Sequence, residues 1–309
     1  MRLLIFSNIY ISLAAAALTV QAYYVLGARA FLRTTPHAWG PAALVFCATL
    51  MVYNLDRLVA GSGEDAVDLT ERHRWIQARK RWLWGLVVLA GVAGAATLFV
   101  LPLSILAALI PLGLIAGAYS LPLLGRSDAA SGRADTSDKA APRLRTRRRL
   151  KDIPGLKIFL IALVWAAVTV ILPALHASVD LASRGVLLTF VARMLFIFAI
   201  TLPFDIRDMR GDAEAGIRTL PMLLGPQRTR LLALALMLGF CGVILVHYGA
   251  HLSGPTLPLL LSALATSAAL LFCARPRPEL YYVGLLDGTM LLQPLLVIAY
   301  LGGAGLGFG

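Results

Sequence analysis

Apolar and polar positions along this chain are segregated into long blocks, with none of the alternation expected of half-buried strands. Apolar runs fall at 3–27, 40–58, 83–101, 104–122, 157–175, 185–203, 231–249, 255–273 and 282–301. Most match the ~20 residues an α-helix needs to cross a bilayer core. Several contain Gly or Pro, which membrane helices tolerate. The pattern predicts an all-α integral membrane protein, a bundle of nine transmembrane helices forming one domain over 1–309. The short gap Leu101-Pro102-Leu103-Ser104 predicts a tight hairpin between the third and fourth helices. One long broken span is the alternative.

Charge orients this pattern. With the N-terminus inside, 24 of the 28 Lys and Arg lie in segments on the cytoplasmic side. Only Arg29, Arg33 and Arg184 fall outside, and Arg193 lies within the sixth run. Basic residues gather on the cytoplasmic side of membrane proteins. The N-terminus is therefore expected in the cytoplasm and the protein in the inner (plasma) membrane, multi-pass. The first run also imitates a signal peptide, with Arg2 ahead of it and the small-x-small Val20-Gln21-Ala22 within it. Its length and its Asn8, Tyr10 and Gln21 favour an uncleaved helix.

Composition narrows the class. Of 309 residues 59% are hydrophobic and only 14% charged, against a usual ~25% charged. Mean hydropathy is +0.79. A soluble domain of this size cannot hide so much apolar surface, and a disordered chain would not carry it. The net charge of +12 is explained by topology, so no nucleic-acid partner is expected. Cys47, Cys241 and Cys273 sit inside apolar runs as small hydrophobes and make neither a disulfide frame nor a zinc site.

Three cytoplasmic segments are long: 57–82, 123–156 and 204–230. Within the second, 126–150 is expected to be a disordered basic loop ending in the run from Arg143 to Arg149. That run is first a topology signal and second a contact for anionic headgroups.

The densest chemistry is Asp205-Ile-Arg-Asp208-Met-Arg-Gly-Asp212, at the cytoplasmic end of the sixth run. Acids at i, i+3 and i+7 share one stripe of a helix. Like charges there repel, so a cation is expected among them, and Mg²⁺ suits carboxylates that share it with phosphate. The plainer reading is a solvated helix end interleaved with Arg207 and Arg210. A second group, Tyr53-Asn54-Leu55-Asp56-Arg57, ends the second run. Asn54 and Asp56 are candidate ligands if a turn makes them converge; otherwise they cap the helix while Arg57 anchors at the headgroups. Arg193 lies ~15 Å deep, counted at 1.5 Å per residue from Pro203. It must face protein or a cavity, as a pocket residue or paired with Asp287 or a backbone carbonyl. His247, Gln21 and Gln293 read as interhelical hydrogen bonders.

These residues carry a resemblance. The chain resembles the UbiA superfamily of intramembrane prenyltransferases, whose nine helices place Asp-rich motifs of helices 2 and 6 at a cytoplasmic-side cavity. Asp205-x-x-Asp208-x-x-x-Asp212 with Gly211, then Gly216-Ile-Arg-Thr-Leu-Pro221, matches the second motif. Tyr119-Ser-Leu-Pro122-Leu is also similar to the family. The first motif departs: Asn54 and Asp56-Arg57 are present at short spacing, and position 58 is Leu.

The resemblance implies alkyl transfer from a polyprenyl diphosphate to a lipophilic, often aromatic, acceptor inside the bilayer, with Mg²⁺ as cofactor. It implies Asp205, Asp208 and Asp212 as catalytic and metal-binding residues, with Asn54 and Asp56 as further metal ligands. Arg57, Lys157 and Arg218 become candidate diphosphate ligands, Tyr119 and Arg193 candidate pocket residues, and segments 57–82 and 204–230 candidate lids. The altered first motif keeps open a non-catalytic relative that binds, carries or scaffolds. A transporter fits less well, because the polar groups cluster at one membrane face and transporters break helices at the midplane.

Overall fold

The structure, a computed structural model, describes residues 2–60, 71–120, 155–214, 218–250 and 254–303. The basic segment 126–150 lies outside the described residues. Each apolar run holds a helix: α1 (Ile9–Val25), α2 (Gly40–Ala60), α3 (Lys80–Leu98), α4 (Leu103–Ser120), α5 (Leu156–His176), α6 (Arg184–Glu214), α7 (Pro226–Tyr248), α8 (Thr256–Leu270) and α9 (Tyr281–Gly303). Six of them, α2, α3, α5, α6, α7 and α9, are long and apolar enough to cross a membrane; Ile9–Val25, Leu103–Leu114 and Thr256–Leu270 are shorter apolar helices. The third and fourth runs are separate helices joined by a turn at Phe99–Pro102, where Pro102 cannot continue the ladder.

The sixth run departs from its expected end at 203. α6 continues through Pro203 for 31 residues, so the stretch up to Glu214 is helix and not loop. Proline inside a long membrane helix costs one backbone bond, which packing on neighbouring helices offsets. At 1.5 Å per residue α6 is ~46 Å long, well beyond the ~30 Å hydrocarbon core. Its last turns carry the acids out of the apolar layer.

Two helices carry π turns, which are rare and often mark functional sites. In α5 the π turn is Ala167–Ile171, ending two residues before Pro173, which lacks a donor. In α9 it is Tyr281–Leu286, directly before Asp287.

The helices close into a ring of neighbours. α1 packs on α2 and α9 and meets the π turn of α5; α4 packs on α5; α5, α6, α7, α8 and α9 follow in order, and α3 lies outside α2. The span windows of α5 and α6 are 56% and 50% buried, against 17% in α3 and 22% in α7, so α3 and α7 are peripheral. Phe99 in the turn before α4, Leu103, Ile110 and Leu114 on α4, and Leu238 on α7 are exposed. A water-soluble protein rarely shows an apolar belt of that kind. The chain is a multi-pass membrane protein.

Several interior hydroxyls are satisfied within their own helix. Ser12, Thr19, Thr169, Thr201 and Thr266 each donate to the carbonyl four residues back, at 2.7–2.8 Å. Others tie helices together: Gln293 Nε2 to Ser262 Oγ (3.4 Å), Tyr281 Oη to the Ala269 carbonyl (2.7 Å) and Tyr248 Oη to the Val25 carbonyl (3.2 Å).

Candidate active site

The ring encloses a cavity of about 210 Å³ at the end of the bundle where α6 carries its acids. Five helices supply its wall. α6 contributes Ile197, Ile200, Phe204, Asp205, Arg207 and Asp208 among others; α5 adds Lys157, Ile161 and Trp165. Tyr10 and Ile11 come from α1, with Asn8 just ahead of it; Tyr53 and Arg57 come from α2, and Asp287 and Met290 from α9. Charged groups thus share one chamber with an apolar and aromatic wall.

The acids are already balanced by cations of the chain. Asp205 is 2% exposed, and its Oδ1 accepts from Lys157 Nζ at 2.9 Å. Asp208 is gripped by both arms of its neighbour Arg207, Nε at 2.6 Å and Nη2 at 3.0 Å. Forked pairing of this kind fixes both side chains. The Arg207 guanidinium also lies 5.3 Å from the ring centres of Phe204 and Tyr282, so two aromatic faces hold it in place. Tyr282 sits in the π turn of α9, which links that turn to the acid stripe.

The sequence-predicted residues are divided by the structure. Asp205, Asp208, Arg57 and Lys157 meet at the cavity. Asp212 lies one turn further along α6, half-buried and off the cavity wall. Arg218 is exposed beyond the helix, and Asp56 is exposed on α2, away from the wall. Asn54 is buried behind the wall as a clamp. Its Nδ2 donates to the carbonyls of Ser7 (2.9 Å) and Leu50 (2.8 Å), and its Oδ1 accepts from Asn8 Nδ2 (3.0 Å). Arg193 is 4% exposed and donates to the Leu18 carbonyl (3.4 Å) and Gln21 Oε1 (3.0 Å), one turn deeper than the wall residue Ile197. Of the alternatives for Arg193 this is the structural pair with a carbonyl; Asp287 faces the cavity instead. The Tyr119 side chain lies outside the described residues. So do residues 61–70 of the first candidate lid; in its described part the helix Glu71–Ala78 packs Trp75 against Phe6 with ring centres 5.8 Å apart.

Sequence reasoning passed over most of the wall, including Asn8, Trp165, Phe204 and Asp287 in its cavity role. Asp287 and Asn8 did leave a signal, because a polar group inside an apolar run is costly unless it has a use. The two aromatics left none, being indistinguishable from core.

Among the described residues no three His, Cys, Asp or Glu side chains gather as a metal-holding group. Mg²⁺ needs less than that: it is commonly held by one or two carboxylates together with substrate phosphates. Asp205 and Asp208, one helical turn apart on a shared wall, fit such a donor set.

The UbiA prenyltransferase family profile matches residues 64–279. The chain belongs to that family. Among solved structures it is similar to a UbiA homolog from Archaeoglobus fulgidus bound to GPP and Mg²⁺, at 12% identity, covering 97% of this chain and 100% of that one, with a TM-score of 0.58. The same archaeal homolog bound to DMAPP and Mg²⁺ also has 12% identity and a TM-score of 0.58, over 98% of both chains. At this identity the likeness establishes the fold. No curated protein matches the chain.

Proposed function

We propose that this UbiA-family protein transfers a prenyl group from a polyprenyl diphosphate to a lipophilic acceptor, with Mg²⁺, across nine membrane helices and with its N-terminus in the cytoplasm of a bacterial-type inner membrane. One observation carries the reading: Asp205, Asp208, Lys157 and Arg57 converge on a chamber whose remaining wall is Ile11, Ile161, Trp165, Ile197, Ile200, Phe204 and Met290. Carboxylates for a metal, cations for a diphosphate and an apolar lining for an isoprenoid are what the transfer requires. The archaeal homolog with GPP or DMAPP and Mg²⁺ bound supports the same donor.

Asp205 and Asp208 hold Mg²⁺ in this reading, with Asp212 one turn further along α6 and Arg218 beyond it as supporting groups, and Asn54 serves as a clamp. Bound there, the metal supplies positive charge against the diphosphate. Lys157 leaves Asp205 to take a diphosphate oxygen, and Arg57 binds from the opposite wall. The carbon–oxygen bond of the allylic ester breaks with its electron pair leaving on the diphosphate. Trp165 and Phe204 face the allylic carbon, where an aromatic face stabilises positive charge. The acceptor then bonds to that carbon and gives up a proton. The aliphatic wall keeps water from capturing the cation. At about 210 Å³ the chamber is smaller than the ~300–1,000 Å³ of drug-sized pockets. It therefore takes the diphosphate and the first isoprene unit, while the rest of a long tail lies outside.

A second reading has a specific observation behind it. Both acids are neutralised internally and Asp56 is off the wall, as expected of a relative that binds without turnover. Pyrophosphate release from geranylgeranyl diphosphate, with Mg²⁺, with EDTA and with Asp208→Asn, separates the two. Transfer predicts release that needs Mg²⁺ and falls ~10²–10³-fold in the variant, the scale on which a single charge-stabilising group acts. Mg²⁺-dependent binding without release, even when acceptors are offered, favours the binding protein. Loss of binding sinks both.

A further inference from the structure

A second concave site lies on the same face of the bundle, where α7 begins and α8 hands over to α9. It is lined by Gln227, Arg230, Leu271, Phe272, Ala274, Arg275 and Arg277 and has a volume of about 260 Å³. Three guanidinium groups meet there. Among the described residues none of the three is paired with a carboxylate.

Two of the arginines are fixed by the fold. Arg230 Nη1 donates to the Leu271 carbonyl at 3.2 Å, while its Nε is buried with no hydrogen-bond partner. Arg277 Nε donates to the Phe272 carbonyl at 3.1 Å, and its guanidinium lies 5.4 Å from the Phe272 ring centre. These contacts hold the groups around a hollow, where a headgroup-anchoring arginine would spread along the surface. The first turn of the 23-residue α7 adds its positive dipole end through Gln227. Leu271 and Phe272 are 51% and 56% exposed beside the arginines, an apolar shoulder to the hollow.

Arg275 and Arg277 are exposed to the hollow's mouth, and planar guanidinium forks match phosphate oxygens. Basic pockets between membrane helices at this level suit phosphorylated headgroups. We propose that Arg230, Arg275 and Arg277 form a phosphate site, separate from the Asp205 cavity, that holds the headgroup of an anionic phospholipid. The exposed Leu271 and Phe272 then lie against the lipid's glycerol and upper acyl chains. The proposal is independent of prenyl transfer. The segment 271–280 runs directly into the π turn that places Tyr282 under Arg207, so an occupied site also steadies one wall of the cavity.

Native mass spectrometry of the full chain tests this, using protein exchanged into phosphatidylcholine alone or with phosphatidylglycerol. Wild type is compared with the double variant R275Q/R277Q, at two exposed positions, and with R230Q. Helical content and melting temperature are recorded for each. Surface contacts of this kind are worth about fivefold per arginine, so the double variant is expected to hold phosphatidylglycerol about 30-fold more weakly, with phosphatidylcholine unchanged. Inorganic phosphate and pyrophosphate are added in separate arms. Retention of phosphatidylglycerol against them identifies the lipid; displacement by either, lost in the double variant, identifies a free phosphate as the occupant. Equal retention of phosphatidylglycerol and of both phosphates by wild type and a folded double variant overturns the site.

Discussion

Asp205 and Lys157 compete for roles that cannot be filled at once. While Lys157 Nζ sits 2.9 Å from Asp205 Oδ1, the carboxylate is engaged and the ammonium is not on substrate. Lys157→Met should therefore act with two signs. Mg²⁺ should bind about tenfold or more tightly, because Asp205 loses its internal cation, while a prenyl diphosphate should bind about tenfold or more weakly, as expected for a charged hydrogen bond of ~1.5–3 kcal/mol. Isothermal titration with each ligand reads both, and two changes of the same sign would refute the exchange. Asn54 gives the complementary test. Its amide satisfies three partners between α2 and the turn before α1, where Asn8 adopts a left-handed φ of 62°. Asn54→Ala should cost ~1–3 kcal/mol, seen as a lower melting temperature, and leave Mg²⁺ affinity within about twofold. An unchanged melting temperature with weaker Mg²⁺ binding would make Asn54 a ligand after all.

Among the elements, the apolar runs were readable because a bilayer imposes both length and composition, and a helix satisfies its own backbone. The end of α6 was not, since Pro203 followed by acids reads as a helix stop, whereas the helix runs through Pro203 to Glu214. The acid stripe was legible because Asp205 and Asp208 belong to one helical face. The far wall was not, since Asn8 and Asp287 reach the cavity from opposite ends of the chain, and the π turn that aims Asp287 leaves no periodic trace. The family resemblance likewise implied Asn54 and Asp56 as joint ligands, but α2 stays helical through both, and their two-residue spacing sends one to the interior and the other to the surface. The outer helix offers its own test. A Cβ on Gly94 of α3 would stand 3.3 Å from Cys47 Cβ on α2, so the two backbones meet closely there. Gly94→Val should destabilise the fold by ~1–3 kcal/mol through overpacking. Because α3 lies outside the cavity ring, Mg²⁺-dependent binding at a temperature where the variant stays folded should be unchanged. Lost binding in a folded variant would show that α2 and its Arg57 depend on α3 for position.

At the scale of the molecule, charge and site geometry make the same claim about orientation. The cavity acids, the three-arginine hollow and the ends of α6 and α8 lie on one face, and 24 of the 28 basic residues belong to segments assigned to that side. Basic flanks resist translocation, so that face should be cytoplasmic. The assignment depends on helix parity: should one of the shorter helices Ile9–Val25, Leu103–Leu114 or Thr256–Leu270 fail to cross, the segments beyond it change sides. Single cysteines decide the matter once Cys47, Cys241 and Cys273 are replaced by Ala. Ala182→Cys, exposed between α5 and α6, should react with a membrane-impermeant maleimide on intact cells, and Arg228→Cys, exposed at the start of α7, only after permeabilisation. The reverse pattern would turn the bundle over, placing the Asp205 cavity away from the cytoplasmic supply of soluble diphosphates and weakening the transfer reading. Labelling of both on intact cells would mean that α6 does not cross as a single span. The 31-residue helix gathers its acids and most of its cations in its last third, which makes that outcome physically costly, because a lipid-buried stretch of Asp205, Arg207, Asp208 and Arg210 would carry four charges into hydrocarbon.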